Sequence, residues 1–70
     1  MDITFYIKQT QIALIKANYT KNEIQYLFTD VANRKVVTEG FENNRPIIEV
    51  VADLAETMED IRRIIKTGAC

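Results

Sequence analysis

Pro46-Ile-Ile-Glu-Val-Val-Ala-Asp-Leu-Ala-Glu-Thr-Met-Glu-Asp-Ile-Arg-Arg-Ile-Ile-Lys-Thr67 admits two readings, and the choice between them sets the fold. In the first, all 22 residues form one helix with Pro46 at its first position. Ile47, Val51, Leu54, Met58, Ile61 and Ile65 then recur at spacings of 4, 3, 4, 3 and 4, the seam of a coiled coil. In the second, Pro46–Leu54 is a strand and a helix begins near Thr57. Four of residues 47–51 are β-branched, and Ile48, Val50, Ala52 and Leu54 alternate as a half-buried strand requires. Two acid-bearing N-cap patterns follow, Asp53-Leu54-Ala55-Glu56 and Thr57-Met58-Glu59-Asp60, and caps in mid-helix would satisfy nothing. The strand-plus-helix reading is therefore preferred. Its helix buries Met58, Ile61, Ile64 and Ile65, with Glu56, Glu59 and Asp60 at the start, Arg62, Arg63 and Lys66 near the end, and Gly68 as its stop.

Working back toward the N-terminus, Ile, Val, Thr, Tyr and Phe dominate, the residues that suit a pleated surface. Ile3–Lys8 alternates with Ile3, Phe5 and Ile7 on one side. Residues 12–19 continue as a strand after a kink near Thr10, with a short helix as the other possibility. Tyr19–Asn22 reads as a turn, Glu23–Asp30 as a strand, Val31–Arg34 as a connection, and Lys35–Phe41 as a strand whose Gly40 marks a bulge. Glu42-Asn43-Asn44-Arg45 is a strong polar turn. The expected architecture is a single α+β domain over residues 1–70: a four-stranded antiparallel β-meander followed by one C-terminal α-helix.

Composition restricts function more firmly than it assigns it. The chain has 70 residues, a formal charge of −1 and no His, Ser or Trp. Without His, the side chain that titrates near neutrality and most often ligates metals is missing. Without Ser, no Ser–His–Asp nucleophile can be assembled. Cys70 is the only cysteine, so an intramolecular disulfide and a cysteine-based zinc or iron–sulfur site are excluded, and no imidazole is present to activate its thiol. Gly40 and Gly68, the only glycines, are too far apart for a phosphate-cradling loop. No catalytic residue, cofactor or metal is expected, and the reading is of a non-enzymatic protein. No apolar run is long enough for a membrane span, and the start Met1-Asp2-Ile3-Thr4 lacks the basic region and long apolar core of a secretory signal, so a cytoplasmic location is the expectation. The Asn18-Tyr19-Thr20 sequon is read as chance.

Two side-chain groups bear on binding. Asp53, Glu56, Glu59 and Asp60 cluster in sequence, but acids near a helix start are ordinary partners of its dipole. Lys8, Lys16, Arg62, Arg63 and Lys66, with Tyr6 to stack on, could contact nucleic acid from a sheet face or from the basic end of the helix. The net negative charge disfavours that alternative. More telling is an excess of apolar residues. One helix covers one face of a four-stranded sheet, and the other would still carry Tyr6, Ile12, Leu14, Leu27, Ile47 and Val51. These six form the expected partner interface. The chain is read as a small regulatory, inhibitory or accessory interaction module, acting as a homodimer or docked on a larger protein partner.

Overall fold

The computed structural model describes residues 2–67, which fold into four helices: α1 (Ile3–Lys16), α2 (Lys21–Thr29), α3 (Val31–Glu42) and α4 (Ile47–Thr67). Each boundary has a local chemical cause. Asp2 caps α1, its carboxylate accepting the Phe5 N–H at 2.9 Å. The chain leaves α1 through Asn18, whose φ of 73° lets the Tyr19 N–H reach back to the Leu14 carbonyl (3.2 Å) and the Asn18 N–H to that of Ile15 (3.0 Å). Thr20 and Glu23 then form a reciprocal capping box: the Glu23 N–H donates to the Thr20 hydroxyl (3.1 Å), and the Thr20 N–H donates to the Glu23 carboxylate (2.8 Å).

Asp30 ends α2 and caps α3, accepting the Ala32 N–H at 2.9 Å. The Asn33 amide donates to the Leu27 carbonyl (3.0 Å) and ties that corner together. At the far end of α3, Asn44 (φ 55°) repeats the device seen at Asn18. The Arg45 N–H reaches the Gly40 carbonyl (2.8 Å) and the Asn44 N–H that of Phe41 (3.2 Å). Pro46 follows and opens α4, its carbonyl accepting from Glu49 and Val50.

The side-chain contacts set the topology. The Tyr6 hydroxyl donates to the Arg45 carbonyl (2.9 Å), placing the start of α1 beside the start of α4. Arg62 Nη2 donates to the Asn18 carbonyl (3.0 Å), placing the end of α1 beside the last turns of α4. These two helices are therefore parallel neighbours. Gly40, near the end of α3, lies against both Tyr6 and Val50, so α3 runs antiparallel to them. The short α2 crosses the end where α1 stops, and α4 packs against all three.

Tyr6, Leu14, Ile24, Leu27, Val37, Val50, Leu54, Met58 and Ile61 form one core. On α1 the buried positions are Tyr6, Thr10 and Leu14, and on α4 they are Val50, Leu54, Met58 and Ile61, spacings of 3 and 4 that only a helix places on one side. Thr10 enters the core without an orphaned hydroxyl, because Oγ1 donates to the Tyr6 carbonyl at 2.9 Å. Full burial of each aliphatic member contributes about 1.5–3 kcal/mol, against propensity differences of at most about 0.7 kcal/mol per residue.

The expected α+β fold is thus overturned. No strand occurs among the described residues, and neither the antiparallel sheet nor the meander exists. Of the four strands expected, the first three fall mainly in α1, α2 and α3, and Pro46–Leu54, the preferred strand, supplies the first turns of α4. Thr10, read as the site of a kink, is inside α1, and Val31–Arg34, read as a connection, opens α3. Glu56, Glu59 and Asp60 sit in mid-helix; Glu49 and Lys66 are the first-turn acid and last-turn base of α4. Gly40 is a point of close approach rather than a bulge: a Cβ there would lie 2.6 Å from Val50 Cγ2 and 3.0 Å from the Tyr6 hydroxyl oxygen. The helix stop assigned to Gly68 and the thiol of Cys70 lie outside the described residues. Among those described, no helix is long and apolar enough to cross a membrane.

Candidate interaction surfaces

The six residues expected to face a partner separate in the structure. Tyr6, Leu14 and Leu27 are core members at 3%, 0% and 0% exposure. Ile47 and Val51 are half-buried and pack against that core. Ile12 alone stands on the outside, 37% exposed. The sheet whose second face was to hold them together does not form, and helical periodicity distributes them instead.

The apolar side chains that the fold leaves exposed include Phe5, Val31 and Ile48, at 49%, 68% and 77%. At 100° per residue, Phe5 and Ile12 project from one flank of α1, well away from the buried Tyr6, Thr10 and Leu14. Ile48 and Ala52 occupy the corresponding flank of α4, turned from Val50, Leu54 and Met58. Glu59, on the same stripe of α4 as Ile48 and Ala52, accepts from the Tyr19 hydroxyl just beyond α1 (3.2 Å), so this stripe borders α1, and with the two helices parallel both flanks open on the same outward side. These four residues bring no charge to that side. Alternation drew attention to Ile48 and Ala52 for the opposite reason, as inward members of a strand.

A second surface lies between α1 and α3 where α2 closes its end. This groove of about 550 Å³ is lined by Ile7 and Gln11 of α1, Phe28 of α2, and Val31, Arg34, Lys35, Val37 and Thr38 of α3. Its floor is Val37, 1% exposed, and its outer wall is Val31. Both charged residues in the lining are cations. Sequence reading missed this site, because Val31 and Arg34 were assigned to a connection rather than to one flank of a helix.

Of the basic residues considered for nucleic acid, Arg62 and Arg63 are engaged in ion pairs. Arg62 turns inward: its Nε meets Glu23 at 3.3 Å, Nη1 meets Glu59 at 3.5 Å, and the guanidinium lies 4.6 Å over the Tyr19 ring. Arg63 pairs with Asp60 at 3.0 Å. Lys8 and Lys16 are exposed on α1 and Lys66 on the last turn of α4. Of the acidic cluster, Asp53 is held by Arg45 at 2.7 Å, Glu59 by Arg62, and Asp60 by Arg63. Among the described residues no three potential ligands converge on a metal-sized site.

The polar groups with shifted ionisation serve the fold. Glu23 is nine-tenths buried, yet its carboxyl is held below its ordinary pKa, chiefly by the Thr20 N–H and then by Arg62. Burial pushes the Tyr6 phenol up, and burial with the hydrogen bond to Glu59 does the same to Tyr19. The Arg45 guanidinium is raised by its bond to Asp53. None of these groups faces the groove. Comparison of the chain with protein-family models, with characterised proteins and with solved structures yields no match to any of them.

Proposed function

We propose that this chain is a non-enzymatic interaction module that associates with a second copy of itself through the outward face of α1 and α4. The observation that carries the reading is Ile48: a large aliphatic side chain, 77% exposed, on a helix whose own core is complete without it. Phe5, Ile12 and Ala52 extend the same face. The patch is self-complementary across a two-fold axis, each of its residues meeting a residue of the same patch on the second copy, with the exposed Lys8 between Phe5 and Ile12 directing its ammonium to the rim. The size of the chain points the same way, since a 70-residue domain without a disulfide is marginal and oligomerisation is a common remedy.

Catalysis is disfavoured by composition, as the chain lacks His and Ser altogether. Nucleic-acid binding is disfavoured by the ion pairs of Arg62 and Arg63, which occupy the charges such a role would use. Sedimentation equilibrium from micromolar to millimolar protein tests the dimer. The native chain should move toward twice the monomer mass as concentration rises. Ile48→Asp should remain monomeric with an unchanged far-UV circular dichroism spectrum, since Ile48 contributes nothing to the core. A native chain that stays monomeric at millimolar concentration overturns the proposal.

A further inference from the structure

We infer that the groove between α1 and α3 is a second docking site, and that it takes an acidic amphipathic helix of a protein partner. Its apolar part is formed by Ile7, Phe28 and Val31 over the buried Val37, and its charged part by Arg34 and Lys35. No acidic side chain lines it. Among the described residues Arg45, Arg62 and Arg63 each hold one or more carboxylates, whereas Arg34 holds none. An exposed cation at the edge of an apolar depression is complementary to a carboxylate flanking an apolar anchor, and a guanidinium can meet that carboxylate with two parallel hydrogen bonds. Helix-in-groove recognition has this form, with anchors at i, i+3, i+4 and i+7 in the depression and polar residues along the rim.

The dimensions agree. Its α3 wall runs from Val31 to Thr38, eight residues and about 12 Å at 1.5 Å per residue, so the groove accommodates roughly two turns of a partner helix, the span from i to i+7. A second copy of this chain does not fit the role. On its own acidic helix Glu49, Asp53, Glu59 and Asp60 are already paired with arginines, which leaves Glu56 alone, and the i, i+4 series Val50, Leu54 and Met58 is buried in the core. A two-fold contact through this groove would set Arg34 and Lys35 against their own copies. The groove therefore calls for a different molecule from the outward face of α1 and α4, and its occupancy is independent of dimerisation.

The test is fluorescence anisotropy with a labelled synthetic peptide of roughly 15 residues, leucines spaced i, i+3, i+4, i+7 and glutamates on the flanks. A matched peptide carrying lysine in place of glutamate is the comparison. The acidic peptide should bind at least about tenfold more tightly than the basic one and weaken as salt is raised. Arg34→Glu with Lys35→Glu should abolish or reverse that preference, and Val31→Asp should weaken the acidic peptide. All three positions are exposed, so retained helical circular dichroism is expected in each variant. Ile48→Asp should bind the acidic peptide as the native chain does, which keeps this result separate from the dimer. Equal affinity for the two peptides, absence of binding by both, or a preference that survives the charge reversal overturns the inference.

Discussion

Adding one methyl group at Gly40 should destabilise this protein, although alanine is the better helix former. Gly40 lies inside α3, where exchange to alanine ordinarily gains about 1 kcal/mol. Here the new Cβ would sit 2.6 Å from Val50 Cγ2 and 3.0 Å from the Tyr6 hydroxyl oxygen. Val50 is fully buried and β-branched, so it cannot rotate clear, and the Tyr6 hydroxyl is held by the Arg45 carbonyl at 2.9 Å. Overpacking of this kind costs about 1–3 kcal/mol, leaving a net loss of about 1 kcal/mol for Gly40→Ala. Val50→Ala alone removes two buried carbons and should cost about 2 kcal/mol once the cavity is included. In the double variant the methyl group introduced by Gly40→Ala occupies the space that Val50 Cγ2 vacated. The pair should then be no less stable than Val50→Ala alone, a coupling of at least about 1 kcal/mol. Urea unfolding followed by far-UV circular dichroism measures all four corners of the cycle. A double variant at the sum of the single losses, or a Gly40→Ala protein more stable than the native chain, would refute the close packing of α3 against α4.

Three further tests address other parts of the fold. Leu27→Ala should cost about 2–5 kcal/mol, because the side chain is fully buried; on the outer face of a sheet the same change would be nearly silent, so thermal denaturation separates the two folds. Asn44 holds a φ of 55°, so Asn44→Val should cost about 1–2 kcal/mol in chemical denaturation while Asn44→Gly leaves stability within a few tenths. Glu23 has a lowered carboxyl pKa in the folded state, and its contribution is therefore fully present above the ordinary carboxylate value and is lost as pH falls through that value toward the folded one. The native chain should melt above Glu23→Gln at neutral pH, and that gap should close in acid; a gap constant down to pH of about 3 would remove the Thr20 and Arg62 contacts as its source.

One turn was legible and the elements on either side of it were not. Glu42-Asn43-Asn44-Arg45 was recognisable because its chemistry is local: asparagine tolerates the left-handed conformation wherever it sits. The same logic, applied to Thr20-Lys21-Asn22-Glu23, finds a capping box and hence a helix start where a plain turn and a strand were read. The strands failed because Ile, Val, Thr and Phe express only a weak preference for sheet, which burial on a helix overrides.

Val36, Val37, Gly40 and Phe41 illustrate the point. As a strand they point both ways; as a helix they share the side of α3 that packs on the core. The surplus of apolar residues on both sides of the supposed sheet had the same origin. Tyr6, Leu14 and Leu27 looked unpartnered because a period of two was imposed on a pattern whose period is 3.6. Only the seam from Ile47 to Ile65 carried the helical period openly, and Asp53 and Thr57, which suggested caps against it, lie within α4, Asp53 bonded to Arg45. Neither surface could be located before the helical phase was known, since the groove joins residues of α1, α2 and α3 that are far apart in the chain.

Self-association through the outward face of α1 and α4 can be observed residue by residue by recording amide chemical shifts while the protein is diluted from millimolar to micromolar. The shifts of Phe5, Ile12, Ile48 and Ala52 should move together along one binding curve, with Arg34 and Lys35 stationary. Shifts on that face that do not change over the whole dilution, or changes centred on the groove instead, would contradict it.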